Sequence, residues 1–144
     1  MGNVTAPSGT LRVGTVVGLL VLSVLVPATG VVGTAAADAP DASTYTDILN
    51  GTQGDGTAAA PYNITNATEL QAVAGDLDAN FTLAADVDAS ETSSWNGGAG
   101  FDPIGNDSAP FTGTFDGNGY TISNLTVDRG SETDVGLFGV NDGT

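Results

Sequence analysis

The sequence contains no Cys, no His and no Lys, and its 2 basic residues are Arg12 and Arg129. Without thiols or imidazoles there is no disulfide framework, no Cys- or His-ligated zinc, and no nucleophile working with a His base. The lack of Lys removes Schiff-base chemistry and a Walker-type phosphate lysine. Against the two cations stand 17 acidic residues, for a formal charge of −15. Nucleic acid and anionic membrane surfaces are recognised through Lys and Arg, so both are excluded as partners. Aromatic residues make up only 6% of the chain, so few large side chains remain for a core. One ordinary domain fits in 144 residues, two at most.

The apolar residues are unevenly placed. Arg12 precedes an uncharged run from Val13 to Ala37 whose dense part, Val13 to Val26, ends at Pro27. The run closes on Ala35-Ala36-Ala37. A cation, an apolar core of about 14 residues and small residues at −3 and −1 form a secretory signal, with the cut expected after Ala37. The alternative is an uncleaved anchor over residues 13–37, the one route by which the chain would touch a membrane. All 17 carboxylates lie beyond Ala37, 14 of them Asp, with Arg129 as the one cation beside them. Such a surface repels itself in dilute buffer, but at molar salt the Debye length falls to about 3 Å and the repulsion is screened. That composition suits an exported protein of an extreme halophile, with a haloarchaeon-like balance of residues.

Residues 38–60 are small and polar and read as a flexible leader or linker, with a short strand expected around Tyr45 to Leu49. Order is expected over 61–144. Asn66 has the place of a helix N-cap, with Glu69 at the third helical position. Leu70, Val73, Ala74 and Leu77 then form one apolar stripe, which predicts a helix from Ala67 to Leu77. Phe81, Leu83, Ala85 and Val87 alternate with polar or small residues as a half-buried strand. A Gly-rich loop follows over Trp95 to Gly100. The alternation resumes at Phe111 to Phe115, and Asp116-Gly117-Asn118-Gly119 predicts a tight turn with its glycines at positive φ. Tyr120 to Ile122 is a further strand, after which the inward positions run Ile122, Leu125, Val127. A bend at Ser123-Asn124 keeps one face inward. Short strands joined by bends, all burying one face, predict a mainly all-β chain built as a β-solenoid.

Four stretches carry a family likeness: Leu83 to Asp88, Phe101 to Gly105, Phe111 to Val127, and Val135-Gly136-Leu137-Phe138-Gly139. Together, Tyr62 to Val140 resembles the GLUG-repeat family of secreted and cell-surface proteins, with Asp116-Gly117-Asn118-Gly119 and Gly136-Leu137-Phe138-Gly139 as its most specific parts. The resemblance implies a partial right-handed parallel β-helix with the short helix as N-terminal cap. It also implies a surface module with no catalytic groups or cofactor of its own. After Phe138 and Val140 only Asn141 to Thr144 remain, so an open last coil and self-association through it are expected.

The individual candidates are thin. Asp86 and Asp88 begin a calcium-like loop, but Glu91 stands where Gly is needed and Gly97 where the final acid is needed. No dedicated metal site is therefore expected. Asp102, Asp116 and Asp128 could serve a polysaccharide-degrading enzyme, of which this chain would be an N-terminal remnant. Asp116 is better explained as a turn residue, so the reading is non-enzymatic. Trp95, Phe101, Tyr120 and Phe138 could stack sugars, yet their spacing suits packing. The glycine runs Gly51 to Gly56 and Gly113 to Gly119 carry no Lys and open no convincing helix, so they are not phosphate loops. Beyond Ala37, Asn-x-Ser/Thr occurs at Asn50, Asn63, Asn66, Asn80, Asn106 and Asn124. The loop positions Asn50 and Asn106 are the glycosylation candidates. Other surface proteins or glycans are the expected partner classes; adhesion, envelope structure or protein contact is the expected role.

Overall fold

The computed structural model of the protein describes residues 38–144. The proposed signal segment 1–37 and its cleavage lie outside the described residues. Among those described, no helix is long and apolar enough to cross a membrane.

The segment from Asp41 to Gly51 differs from the expected linker and strand. Asp41 accepts from Ser43 N (2.8 Å) and caps a 3-10 turn, Ala42–Thr44. Helix α1, Tyr45–Gly51, follows directly. Tyr45, Ile48 and Leu49 stand at i, i+3 and i+4, so one helical face carries every large residue of the segment. Leu49 is buried and the other two are half-buried against the core. A strand would have put Ile48 and Leu49 on opposite faces.

Strand β1, Tyr62–Ile64, leads into α2, Ala67–Ala72. Asn66 caps α2 as expected, its Oδ1 accepting from Glu69 N at 2.9 Å. Glu69 reaches back to Thr65 rather than to Asn66, taking the Thr65 N–H at 2.7 Å and its hydroxyl at 2.8 Å. The helix is shorter than the stripe suggested: a 3-10 turn, Val73–Gly75, ends it. Leu77 lies beyond that end because its carbonyl accepts from Thr112 N and Gly113 N, 2.8 and 2.9 Å away.

The expected strand over Phe81 to Val87 is broken into two. β2 spans Asn80–Leu83 and β3 spans Val87–Asp88, with a corner between them at residues 84–86. Burial continues across the corner at Phe81, Leu83, Val87 and Ala89. A 3-10 segment, Ser90–Gly98, with Thr92 and Trp95 buried, is broken where the Gly-rich loop is expected: Trp95, Asn96 and Gly97 are non-helical, and Gly98 and Gly100 have φ of 98° and 83°. β4, Thr114–Asp116, and β5, Ile122–Ser123, complete the strands.

Among the described residues the five strands pair in parallel, while the isolated bridge Gly100↔Val127 is antiparallel. One sheet has the order β1-β2-β4, and the other pairs β3 with β5. Parallel bridges Ile104↔Phe138 and Phe111↔Asn141 extend the pattern. The last residues continue alongside β4: Asp142 N donates to Phe111 O (2.8 Å), Thr144 N to Gly113 O (3.0 Å), and Phe115 N to Thr144 O (2.7 Å). Tyr62, Phe81 and Phe115 are register partners, so their rings form a ladder, with centroids 5.7 and 6.5 Å apart. Trp95, Phe81, Phe101, Phe111, Ile64, Leu70, Leu83 and Ile104 are the large fully buried apolar residues of one contiguous core. Short helices and short parallel strands thus share the described residues.

Candidate functional site

The two specific motifs take their shape from close backbone packing. At the turn, Asp116 Oδ1 accepts from Asn118 N (2.8 Å) and Tyr120 N donates to Gly117 O (2.8 Å). Asn118 and Gly119 have φ of 46° and 78°, the two positive values of a type I′ turn. Asn118 Nδ2 also donates to Leu83 O (3.3 Å), 35 residues earlier. In the second motif, Ile104 N donates to Leu137 O and Gly139 N to Ile104 O, both at 2.9 Å. A Cβ on Gly139 would run into Gly105 O, so only glycine permits this approach. Phe138 packs its ring on Phe111 (4.9 Å) and edge-on to Phe115 (5.7 Å).

The calcium-like pair is committed elsewhere. Asp86 Oδ1 accepts from Thr121 N (2.8 Å), and Asp88 Oδ1 from Asn124 Nδ2 (3.0 Å) and Ser90 N (3.0 Å). The Asn124 amide, then the Ser90 N–H, hold the Asp88 carboxyl below the ordinary carboxylate range. Thr92, buried in the same region, takes Thr126 N on its hydroxyl at 2.9 Å. These contacts join residues 34 to 36 apart, so each polar side chain fastens one pass of the chain to the next. Asn124, at φ 56°, is the bend expected there. Among the described residues, no group of three or more His, Cys, Asp or Glu is placed to hold a metal ion.

Of the carboxylates considered for catalysis, Asp102 lies beside the one Arg of this region. Arg129 reaches Asp102 Oδ1 at 3.0 Å and Glu132 Oε1 at 3.5 Å, and its Nε donates to Phe101 O at 3.2 Å. Asp102 is also held through its backbone by the buried Gln71. That amide donates to Asp102 O (3.0 Å) and accepts from Asp102 N (2.8 Å), as a strand neighbour would. Gln71 was missed from the sequence, because a polar residue inside a helical stripe gives no sign of a partner 31 positions away. Asp116 is occupied by its turn, and Asp128 is exposed. A cavity of about 250 Å³ opens beside the ion pair, lined by Asp102, Gly105, Asn106, Glu132, Thr133 and Asp134.

Asp76 has the opposite environment to Asp88. Partial burial raises its pKa first, and a hydrogen bond with the Asp78 carboxyl and that group's charge add to the rise. The aromatic set does not form a platform: Trp95 and Phe101 are fully buried, Phe138 is packed as above, and Tyr120 alone is 43% exposed.

Over 92 residues, 60% of the chain, the sequence is 50% identical to Halomucin of Haloquadratum walsbyi, of which that match covers 1%. Over 89 residues it is 37% identical to a protein of Evansella cellulosilytica named "Putative Gly-rich membrane protein", of which it covers 10%. The chain therefore spans a small fraction of either relative. No family model matches it, and no solved structure matches it.

Proposed function

We propose that the chain is an exported, non-catalytic cell-surface module of a halophile, a partial right-handed parallel β-helix of the GLUG-repeat kind. Its role is adhesion, envelope structure or protein contact. The observation that carries this reading is the use made of the polar side chains. Asp86, Asp88, Asn118, Thr92 and Gln71 each bridge to a residue 31 to 36 positions away. Bonds between successive passes of the chain are what stacked solenoid coils require, and a carboxylate spent on stacking is withdrawn from acid–base work. Asp102, tied to Arg129, and Asp116, tied to its turn, are withdrawn in the same way. The names of the two relatives, a halophile's Halomucin and a membrane protein, support a surface location.

The test is labelling of intact cells with an antibody to residues 38–144, followed by the purified chain on arrays of glycans and surface proteins at molar salt. Surface label and binding without turnover are expected. A chain confined to the cytosol, or one that depolymerises a polysaccharide, would overturn the reading.

A further inference from the structure

We propose that Asn106 is an N-glycosylation site, and that the other sequons of residues 38–144 stay unmodified in the folded chain. This rests on the export reading above. Transfer to an Asn-x-Ser/Thr triplet needs a surface Asn whose Nδ2 is free, followed by an available hydroxyl. The six triplets differ sharply on those terms.

Asn66 is the cap of α2, and its Nδ2 lies 3.4 Å from Thr65 Oγ1. Asn80 is half-buried in β2, and its Nδ2 donates to Gly56 O at 3.0 Å. Asn124 Nδ2 donates to Asp88 at 3.0 Å. Asn63 is half-buried at the centre of β1, paired with Thr82. Asn50 is exposed but lies within α1, and the hydroxyl of its Thr52 is already given to Leu49 O at 2.8 Å.

Asn106 meets every condition. It is exposed, as are Asp107, Ser108 and Ala109 after it. Reciprocal backbone bonds of 3.0 Å between Asn106 and Ala109 close these four residues into a projecting turn. Asn106 Oδ1 accepts from Ser108 N (3.0 Å) and Ala109 N (3.1 Å). The side chain is thereby held by its oxygen, while its Nδ2 and the Ser108 hydroxyl have no hydrogen-bond partner among the described residues. The adjoining cavity of about 250 Å³ is oxygen-rich, with Asp102, Glu132 and Thr133 able to accept sugar hydroxyls. The glycan donor required is a lipid-phosphate-linked saccharide. Asn106 Nδ2 bonds to its anomeric carbon, the carbon–oxygen bond to phosphate breaks with its electron pair, the lipid phosphate leaves, and one amide proton passes to solvent.

Chymotryptic cleavage after Phe101 and Phe111 releases residues 102–111, a peptide with one sequon. Mass spectrometry of the chain recovered from the cell exterior should show a glycan on that peptide and none on Asn66, Asn80 or Asn124. Asn106→Gln should lose the added mass entirely. Ser108→Ala should lose it too, although it keeps the Asn106 side chain and both N–H groups that hold it. An unmodified 102–111 peptide in the exported chain, an added mass that survives both substitutions, or heavier occupancy at Asn66, Asn80 or Asn124 would overturn this proposal alone. A chain that never leaves the cell would overturn it together with the surface reading.

Discussion

Asp88 and Asn124 form a side-chain pair at an exposed corner, and the pair has a measurable pH signature. The folded pKa of Asp88 is depressed, chiefly by the Asn124 amide. Its stabilising contribution is therefore complete above the unfolded carboxylate value of about 3.9 and is lost as the pH falls through the lower folded value. Asn124→Gly removes the donor yet keeps the left-handed backbone at φ 56° available. An NMR titration should then show the Asp88 pKa rising toward the ordinary range; an unmoved value would mean that Asn124 is not its main partner. Asp76 works in the other direction. With a folded pKa above the unfolded one, its charged form opposes folding, and the penalty grows as pH rises through the window between the two values. Asp76→Asn should accordingly raise the melting temperature at neutral pH and not below pH 4. Gly139 gives the steric case: Gly139→Ala places a Cβ against Gly105 O and should cost about 1–3 kcal/mol in urea unfolding at molar salt.

At the scale of elements, α2 is held from both ends of the distance range. Its cap is local, and Asn66→Ala should cost about 1 kcal/mol. Its anchor is remote. Gln71→Leu leaves the Asp102 N–H and C=O without the amide that pairs them, so a further loss of about 1–3 kcal/mol per stranded group is expected. Equal losses from the two variants would show that solvent replaces Gln71 without penalty. The contrast explains what was legible in the sequence. The Asn66 cap, the tight turn at Asp116 to Gly119 and the Asn124 bend are fixed within four residues and could be read directly, although positive φ falls on Asn118 and Gly119 and not on Gly117. The corner at 84–86 could not, because inward and outward positions continue to alternate whether or not the chain changes sheet. The stripe Tyr45, Ile48, Leu49 was visible as a helical spacing but spans little more than one turn, too short to stand out among Asp, Thr and Gly. The long-range partners of the site residues were not legible at all. Asp86 and Asp88 begin a calcium-like loop that already lacks its Gly and its final acid, and their actual partners, Thr121 and Asn124, lie 35 and 36 residues away and follow no local pattern.

Over the whole molecule, charge works against the parallel stack. Residues 38–144 carry every one of the 17 carboxylates and Arg129 as their sole cation, and that guanidinium is shared between Asp102 and Glu132. In the strand register Asp116 lies opposite Thr82 and Asp88 opposite Ser123, so the repulsion comes from the summed surface charge and not from carboxylates stacked on one another. Below about 0.1 M salt the Debye length is about 10 Å or more, roughly twice the ~4.8 Å separation of neighbouring strands, and the repulsion acts in full. At molar salt it falls to about 3 Å, and the buried apolar core then dominates. Circular dichroism of residues 38–144 should therefore show a native signal at molar salt that is lost on dilution into low-salt buffer. Replacing exposed Asp47, Asp107 and Asp142, none of which makes a side-chain hydrogen bond among the described residues, with Asn should move the midpoint of that transition to lower salt. The core is untouched by these changes, so a midpoint that stays in place would show that something other than carboxylate repulsion sets the salt requirement. A spectrum already native in dilute buffer would remove the requirement altogether.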